Sequence, residues 1–244
     1  MKVLASTLNH NLPELTDNLA EQLKRSKFTD YELMVVDNGS KEQVANSTTH
    51  ISPENTFFGG GVNLILDYFL NDTSHEYLYI FNNDLIFHGH GFLEQSIREM
   101  ESSGADVYSP SVINMSLDQC AWKQMYCWGT AKTREVSWID FQCPLLSRRL
   151  CEYIKRYPDQ LVYGWGVDFY TGMICEQLGF KTVVSDANSI GHLNSQTLKL
   201  NKVNIGLNDF CQRADANMFA FFNSQPELNT KFHQYRQWAT SYTL

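Results

Sequence analysis

The chain has 244 residues, of which 43% are hydrophobic and 19% are charged, and its formal net charge is −8. This length fits one α/β domain, alone or with a small appendage, and the composition excludes a disordered chain. The acidic balance argues against a general nucleic-acid binder, because phosphate backbones are attracted to basic surfaces.

The cysteines and the N-terminus indicate where the protein works. None of the six cysteines forms a CxxC pair, which excludes a zinc ribbon or a thioredoxin motif and favours free thiols in a reducing compartment. The first ten residues lack the pattern of a signal peptide, and no run approaches the roughly 20 apolar residues of a membrane helix. We therefore expect a cytoplasmic protein.

The first half of the chain alternates strands and helices. Strands are predicted at residues 2–7, 32–36, 50–51, 77–81 and 105–108. Helices are predicted at residues 13–24, from the glycine-rich loop to about 70, and at 91–102. This alternation predicts a parallel sheet with helices on both faces.

The second half is less regular, and residues 114–137 show no clear period. Further strands are predicted at residues 136–141 and 181–184, and further helices at 147–156, from Asp168 to about Gly179, and near 207–222. The apolar run Met218–Phe222 is compatible with ordinary packing, a homodimer contact or a membrane contact.

Three polar clusters follow predicted strands, namely residues 7–9, 37–40 and 82–84. Ligands bind parallel sheets at the carboxyl ends of the strands, so these clusters should meet at one edge. Asp37 can accept hydrogen bonds from a nucleoside or can belong to a plain turn. Asp84 can bind a divalent cation, which prefers oxygen ligands, or can cap a helix.

Phe58-Gly59-Gly60-Gly61-Val62-Asn63 is a glycine-rich segment that opens a helix. Glycines allow a close approach of the backbone to a ligand, and helix N-termini attract phosphate. The segment matches neither the dinucleotide fingerprint nor a phosphate-binding P-loop. Tight packing of the helix explains the glycines equally well.

Four later residues are candidates for the chemistry or the binding of a sugar. Asp168 can cap its helix or face a cleft as a base. Trp165 and Trp128 can stack on a sugar or pack in the core. His192 can be a structural histidine or, beside Asp84, a ligand of a metal or a diphosphate.

In chain order, these motifs resemble glycosyltransferase family 2 and its relatives with the GT-A fold. The likeness covers about residues 1–195 and rests on Val-Asp-Asn-Gly-Ser, Asn-x-x-Phe-Gly-Gly-Gly-x-Asn, Phe-Asn-Asn-Asp, Trp-Gly-x-Asp and Gly-His. It implies a Rossmann-like, mostly parallel sheet with helices on both faces. It also implies an enzyme that uses a nucleoside-diphosphate sugar and a divalent metal, Mn²⁺ or Mg²⁺.

The resemblance assigns roles to individual residues. Asp168 matches the catalytic base, Asp84 the last carboxylate of the metal-binding DxD motif, and His192 a histidine after the last core strand. Asn82 stands at the first DxD position, and Val167 precedes Asp168 where Glu is frequent. The implied donor-binding residues are Thr7, Asn9, Asp37, Gly59, Gly60, Asn63 and Asn83.

The implied organisation is a catalytic domain over residues 1–195 and a C-terminal helical extension over 196–244. Within the domain, residues 1–110 form the nucleotide-sugar half and 111–195 the acceptor half. We expect hexosyl transfer with inversion to a hydroxyl of an unidentified acceptor, and a UDP-sugar is the favoured donor.

Two alternatives stay open at this point. A nucleotidyltransferase of similar fold would usually carry a basic residue in the first loop, and residues 7–11 contain no Lys or Arg. A non-catalytic binding protein with the GT-A fold is compatible with Asn82 and Val167, the two departures from the family pattern.

Overall fold

The computed structural model describes residues 2–113, 116–193 and 205–244. The strands are β1 Val3–Asn9, β2 Tyr31–Asn38, β3 His50–Ser52, β4 Tyr77–Phe81, β5 Leu85–Phe87, β6 Val107–Val112, β7 Thr133–Glu135, β8 Leu145–Ser147 and β9 Thr182–His192. The helices are α1 Pro13–Lys24, α2 Phe57–Asp72, α3 Phe92–Ser103, α4 Arg148–Ile154, α5 Val167–Leu178, α6 Leu207–Asn223 and α7 Pro226–Ser241. The first nine residues of the expected extension, 196–204, lie outside the described residues.

All nine strands belong to one sheet with the order β3-β2-β1-β4-β8-β6-β9-β5, and β7 pairs with β9. The run β3-β2-β1-β4 is parallel, as is the pair β6–β9. β8 separates β4 from β6 and is antiparallel to both, and β5 and β7 are antiparallel to β9. The parallel architecture expected from the sequence therefore holds for the first half, and the second half is mixed.

Helices cover both faces of the sheet because successive strand residues point to opposite sides. On one face, Val3 and Ala5 of β1 pack with Leu19 and Leu23 of α1 and with α3. On the other face, Leu4 packs in a cluster that contains buried residues of α2, α4, α5, α6 and α7. The GT-A-like layering predicted from the sequence is confirmed.

Three local predictions need correction or extension. Residues 136–141 form no strand, because Trp138, Ile139 and Phe141 are buried as side chains without a backbone ladder, and the strand β7 lies just before them. The strand predicted at 181–184 is longer than expected, because β9 runs from Thr182 to His192. The helix α7, which starts at Pro226, was not predicted.

The apolar run at the end of α6 is part of the core. Met218, Phe221 and Phe222 are buried, and Phe222 stacks on Phe232 of α7 with ring centroids 4.4 Å apart. This packing explains the apolar character of the run within the chain. None of the helices in the described ranges combines the length and the apolar character that crossing a bilayer requires.

Candidate active site

Asp84 and His192 meet at the carboxyl edge of the sheet. Asp84 lies between β4 and β5, and the antiparallel pairing of β5 with β9 places Leu85 opposite His192. The Leu193 amide donates to the Asp84 carbonyl at 3.0 Å, which fixes the register next to the site. As a result, Asp84 Oδ1 lies 3.1 Å from His192 Nε2, and both side chains are buried.

Asp168 is the second residue of α5, and the N-cap of this helix is Gly166, which lies in the left-handed region at φ 97°. Its Oδ1 accepts a 2.8 Å hydrogen bond from the Phe169 amide, so the helix start orients the carboxyl group. Burial, together with the nearby carboxyl group of Asp140, raises the pKa of Asp168 to about 8. Such a group takes up a proton more readily than an ordinary carboxylate.

Asp140 is a site residue that the sequence interpretation missed. It lies in the irregular segment between β7 and β8, and Gln142 Nε2 donates to its Oδ2 at 2.7 Å. The segment is fixed to the end of β4 by the Asn82 amide, which donates to the Gln142 carbonyl at 3.0 Å. Burial raises the pKa of Asp140. The available signal was a single acid within the apolar run Trp138–Phe141.

These acids share one cavity of about 620 Å³. Part of the lining is formed by His10, which follows β1, by Asn38, the last residue of β2, and by Asn55, which precedes α2. The rest of the lining includes Asn83, Asp84, Asp140, Trp165, Asp168 and His192. Of the three acids expected to converge on one pocket, Asp84 and Asp168 line this cavity together with His192, and Asp37 does not line it. The size of the cavity lies in the range of small-molecule sites.

Asp37, Asn9 and Thr7 lie behind the cavity and do not line it. Asp37 accepts hydrogen bonds from Asn9 Nδ2 at 2.8 Å and from the Ser40 amide at 3.0 Å, and Thr7 donates to the Phe81 carbonyl at 2.8 Å. The polar groups of these three residues therefore already bond within the protein, and their direct contact with the donor stays a prediction. Asn83 does line the cavity.

The glycine-rich segment also packs within the protein. The amides of Gly59 and Gly60 both donate to the Val162 carbonyl, at 2.8 and 3.3 Å. A Cβ on Gly59 would lie 2.1 Å from the Leu161 carbonyl oxygen, so the glycine permits contact between α2 and that turn. These contacts explain the glycines by packing, and the expected donor contact at Gly59, Gly60 and Asn63 stays a prediction.

Asn63 shows the same preference for protein partners. Its Nδ2 donates to the Tyr157 carbonyl at 3.0 Å, and its Oδ1 accepts from the Tyr157 amide at 2.8 Å. The side chain is buried and does not line the cavity. This pair of bonds ties α2 to the chain after α4.

The two tryptophans predicted to meet the acceptor lie in different places. Trp165 lines the cavity and is 37% exposed. Trp128 does not line it and packs edge-on against Tyr126 with ring centroids 5.4 Å apart. Trp122 lines the cavity instead and packs edge-on against Phe169, the neighbour of Asp168. Binding of the acceptor by Trp128 stays a prediction.

The site fits a metal ion only if the substrate supplies ligands. The described part of the chain contains no group of three His, Cys, Asp or Glu side chains arranged to hold a metal ion. Asp84 and His192 provide one carboxylate and one imidazole side by side. A cation that also binds substrate phosphates needs only one or two protein carboxylates, so this pair suits a cation shared with a diphosphate.

Solved structures identify the class of fold. The mannosyltransferase PcManGT from Pyrobaculum calidifontis, solved with GDP-Man and Mn²⁺, is 13% identical and has a TM-score of 0.59, over 100% of this chain and 76% of that one. S. aureus TarS 1–349 with UDP is 12% identical at a TM-score of 0.56, over 92% of this chain and 74% of that one. The fold is that of the GT-A glycosyltransferases.

The sequence comparison then defines the family. Residues 6–156, more than half of the chain, match the model described as Glycosyl transferase family 2. The chain belongs to this family and is a glycosyltransferase. No protein with a curated description matches it.

Proposed function

We propose that the chain transfers a hexose from a nucleoside-diphosphate sugar to an acceptor hydroxyl, with inversion at the anomeric carbon. The observation that carries this proposal is that Asp168 lines the same cavity as the pair of Asp84 and His192. Membership of the family supports sugar transfer, and the arrangement of these side chains supports the assignment of roles.

The donor diphosphate binds beside Asp84 and His192 in this proposal, and the nucleoside extends toward His10 and Asn38. A 2.8 Å contact between His10 Nδ1 and the Asn38 carbonyl orients the His10 ring at this end of the cavity. Phe57, with its ring 4.6 Å from that of Tyr163, adds an aromatic wall on which a base can stack. UDP is the nucleotide that we favour.

Asp168 is the proposed general base. A free hydroxyl is a poor nucleophile, and a positioned base that removes its proton as the new bond forms accelerates such steps by about 10²–10⁴-fold. With its pKa raised to about 8, Asp168 is matched to this task near neutral pH. The proton moves from the acceptor hydroxyl to the Asp168 carboxylate, and the nucleoside diphosphate leaves from the opposite face of the sugar.

Asp84 and His192 are the residues that would hold Mn²⁺ or Mg²⁺ together with the donor diphosphate. When bound, such a cation stabilises the negative charge that develops on the leaving diphosphate. Both side chains are buried, and the β5–β9 pairing holds them next to each other, so they would fix the position of such a cation.

Donor binding can be tested by thermal shift with UDP-, GDP- and TDP-sugars, each with and without Mn²⁺, because a ligand of the folded state raises its stability. We expect a shift in wild type with one donor group and a smaller shift in Asp84→Ala. The variant Asp168→Asn should keep the shift and lose transfer. Normal transfer by Asp168→Asn would refute the assignment of the base, and the absence of any shift in wild type would refute the donor class.

A further inference from the structure

Arg236 is a cation in a cavity that is otherwise acidic. It lies on α7, and the neighbouring helix α6 contributes Asp215 to the same lining. Among the described residues that line this cavity, Arg236 is the sole Lys or Arg, whereas Asp84, Asp140 and Asp168 are carboxylic acids. The residue lies outside the part of the chain that matches the family model.

Aromatic rings fix the position of the Arg236 side chain. The guanidinium carbon lies 5.0 Å from the ring centroid of Phe219 and 5.5 Å from that of Phe232. Contacts of this kind attract the cation to the ring face and restrict its rotamers. The ion pairs found among the described residues do not include Arg236, so its guanidinium is not neutralised by a carboxylate there.

The packing places Arg236 on the same side of the cavity as Asp168. Phe232 packs edge-on against Phe169 with centroids 5.1 Å apart, and Phe169 directly follows Asp168. The proposed nucleoside end, with His10 and Asn38, is built from the carboxyl ends of β1 and β2. Arg236 therefore belongs to the part of the cavity that an acceptor would enter.

We propose that Arg236 binds an anionic group, a phosphate or a carboxylate, of the acceptor. This inference rests on the proposed function, because it assumes that the cavity takes an acceptor beside the donor. A guanidinium presents a planar set of N–H donors that matches the oxygens of both groups, which is why arginine is suited to binding them. The acceptor of this enzyme is accordingly an acidic molecule, and its anion sets the position of the reacting hydroxyl near Asp168.

Inorganic phosphate is the probe for this site. We would titrate it into the protein saturated with UDP and Mg²⁺, follow the Nε–Hε NMR signal of Arg236 and obtain the affinity by calorimetry. Phosphate should shift this signal while UDP remains bound. Arg236→Gln should weaken phosphate binding about tenfold to a hundredfold, as expected for a charged hydrogen-bond donor, and should leave UDP affinity unchanged.

Arg213→Gln is the matched control, because Arg213 is an exposed arginine on α6 that does not line the cavity. This variant should bind phosphate as wild type does, and thermal denaturation verifies that both variants are folded. Phosphate binding that occurs only without UDP, or a tenfold loss of UDP affinity in Arg236→Gln, would assign Arg236 to the donor diphosphate and overturn the proposal. An unshifted Arg236 signal would overturn it as well.

The two proposals fail in different ways. If UDP does not bind but phosphate still shifts the Arg236 signal, the donor assignment is wrong and the anion site remains. If UDP binds and phosphate does not, the donor assignment remains and the inference about the acceptor is wrong.

Discussion

Replacing Asp140 by Asn should lower the pKa of Asp168. The Asp140 carboxyl group is the negative neighbour that raises this pKa, and the substitution removes its charge while nearly preserving its shape. Burial is the larger cause of the raised pKa, and the substitution leaves burial in place. The pKa of Asp168 in the variant should therefore fall below about 8 but stay above the ordinary value of 3.8.

The size of the effect on the base follows from the pKa. At pH 7, a carboxyl group with a pKa of about 8 is ionised in roughly one tenth of the molecules. The substitution can thus increase the carboxylate form of Asp168 in the ligand-free protein by up to about tenfold. Because a base with a lower pKa is also a weaker base, the gain in rate at pH 7 should be smaller than the gain in carboxylate.

The measurement is a pH titration of the ¹³C-labelled carboxyl groups by NMR, with the Asp168 signal assigned by Asp168→Asn. Asp215→Asn is the matched control, since Asp215 lines the same cavity and is not among the causes of the raised pKa. An Asp168 midpoint that is unchanged in Asp140→Asn, or equally lowered in Asp215→Asn, would refute the coupling. A wild-type midpoint near 4 would refute the raised pKa itself.

Three further predictions concern stability and can be checked by urea denaturation. Arg134→Ala should lower the free energy of unfolding by about 3–5 kcal/mol, because it removes the arginine that lies 2.9 Å from the buried carboxylate of Asp186. Gly59→Ala should cost about 1–3 kcal/mol, because its Cβ would overlap the Leu161 carbonyl. Asp168→Asn should stabilise the ligand-free protein relative to wild type, and this gain should grow from pH 4 to pH 8. The reason is that Asp168 in the folded wild type keeps a proton that the unfolded chain releases near pH 3.8. The gain in the free energy of unfolding has an upper bound of about 6 kcal/mol.

Each stability prediction has an outcome that contradicts it. Arg156→Ala breaks an exposed ion pair and should lower the free energy of unfolding by less than about 1 kcal/mol. If Arg134→Ala lowers it by the same small amount, burial does not strengthen the dependence of Asp186 on Arg134. Gly91→Ala, where no atom lies within 4 Å of the new Cβ, should cost no more than about 1 kcal/mol. If the stability that Asp168→Asn gains over wild type does not change between pH 5 and pH 8, the raised pKa of Asp168 is not the cause of that gain.

Local sequence patterns were sufficient for the elements that hold Asp84. The alternation of apolar runs with helical periods predicted β1, α1, β2 and β4, and α1 has the predicted bounds, Pro13 to Lys24. Polar clusters directly after these strands predicted a shared edge, since parallel strands end on the same side. Asp84 is found there because this inference depends only on chain direction and strand order.

Long-range pairing determined what the sequence could not predict. The insertion of β8 between β4 and β6 and the antiparallel return of β9 beside β5 involve residues far apart in the chain. Asp140 lines the cavity because the irregular segment that contains it is hydrogen-bonded to Asn82, the residue after β4. No local period in the sequence predicts the path of this segment. Asp37 illustrates the opposite case, since its position was predicted but its hydrogen bonds are satisfied by Asn9 and Ser40.

The family match ends at residue 156, whereas Asp168, His192 and Arg236 all follow it. In the proposed assignment, His192 belongs to the donor side, because the pairing of β9 with β5 places it beside Asp84. Arg236 has no such tie, since it reaches the cavity from α7 through contacts with the rings of Phe219 and Phe232. In the proposed assignment, α7 can therefore contribute to the choice of acceptor. The helix α6 also reaches the proposed nucleoside end, because its Phe210 packs against Phe57 and Tyr163. Family membership alone does not specify the acceptor.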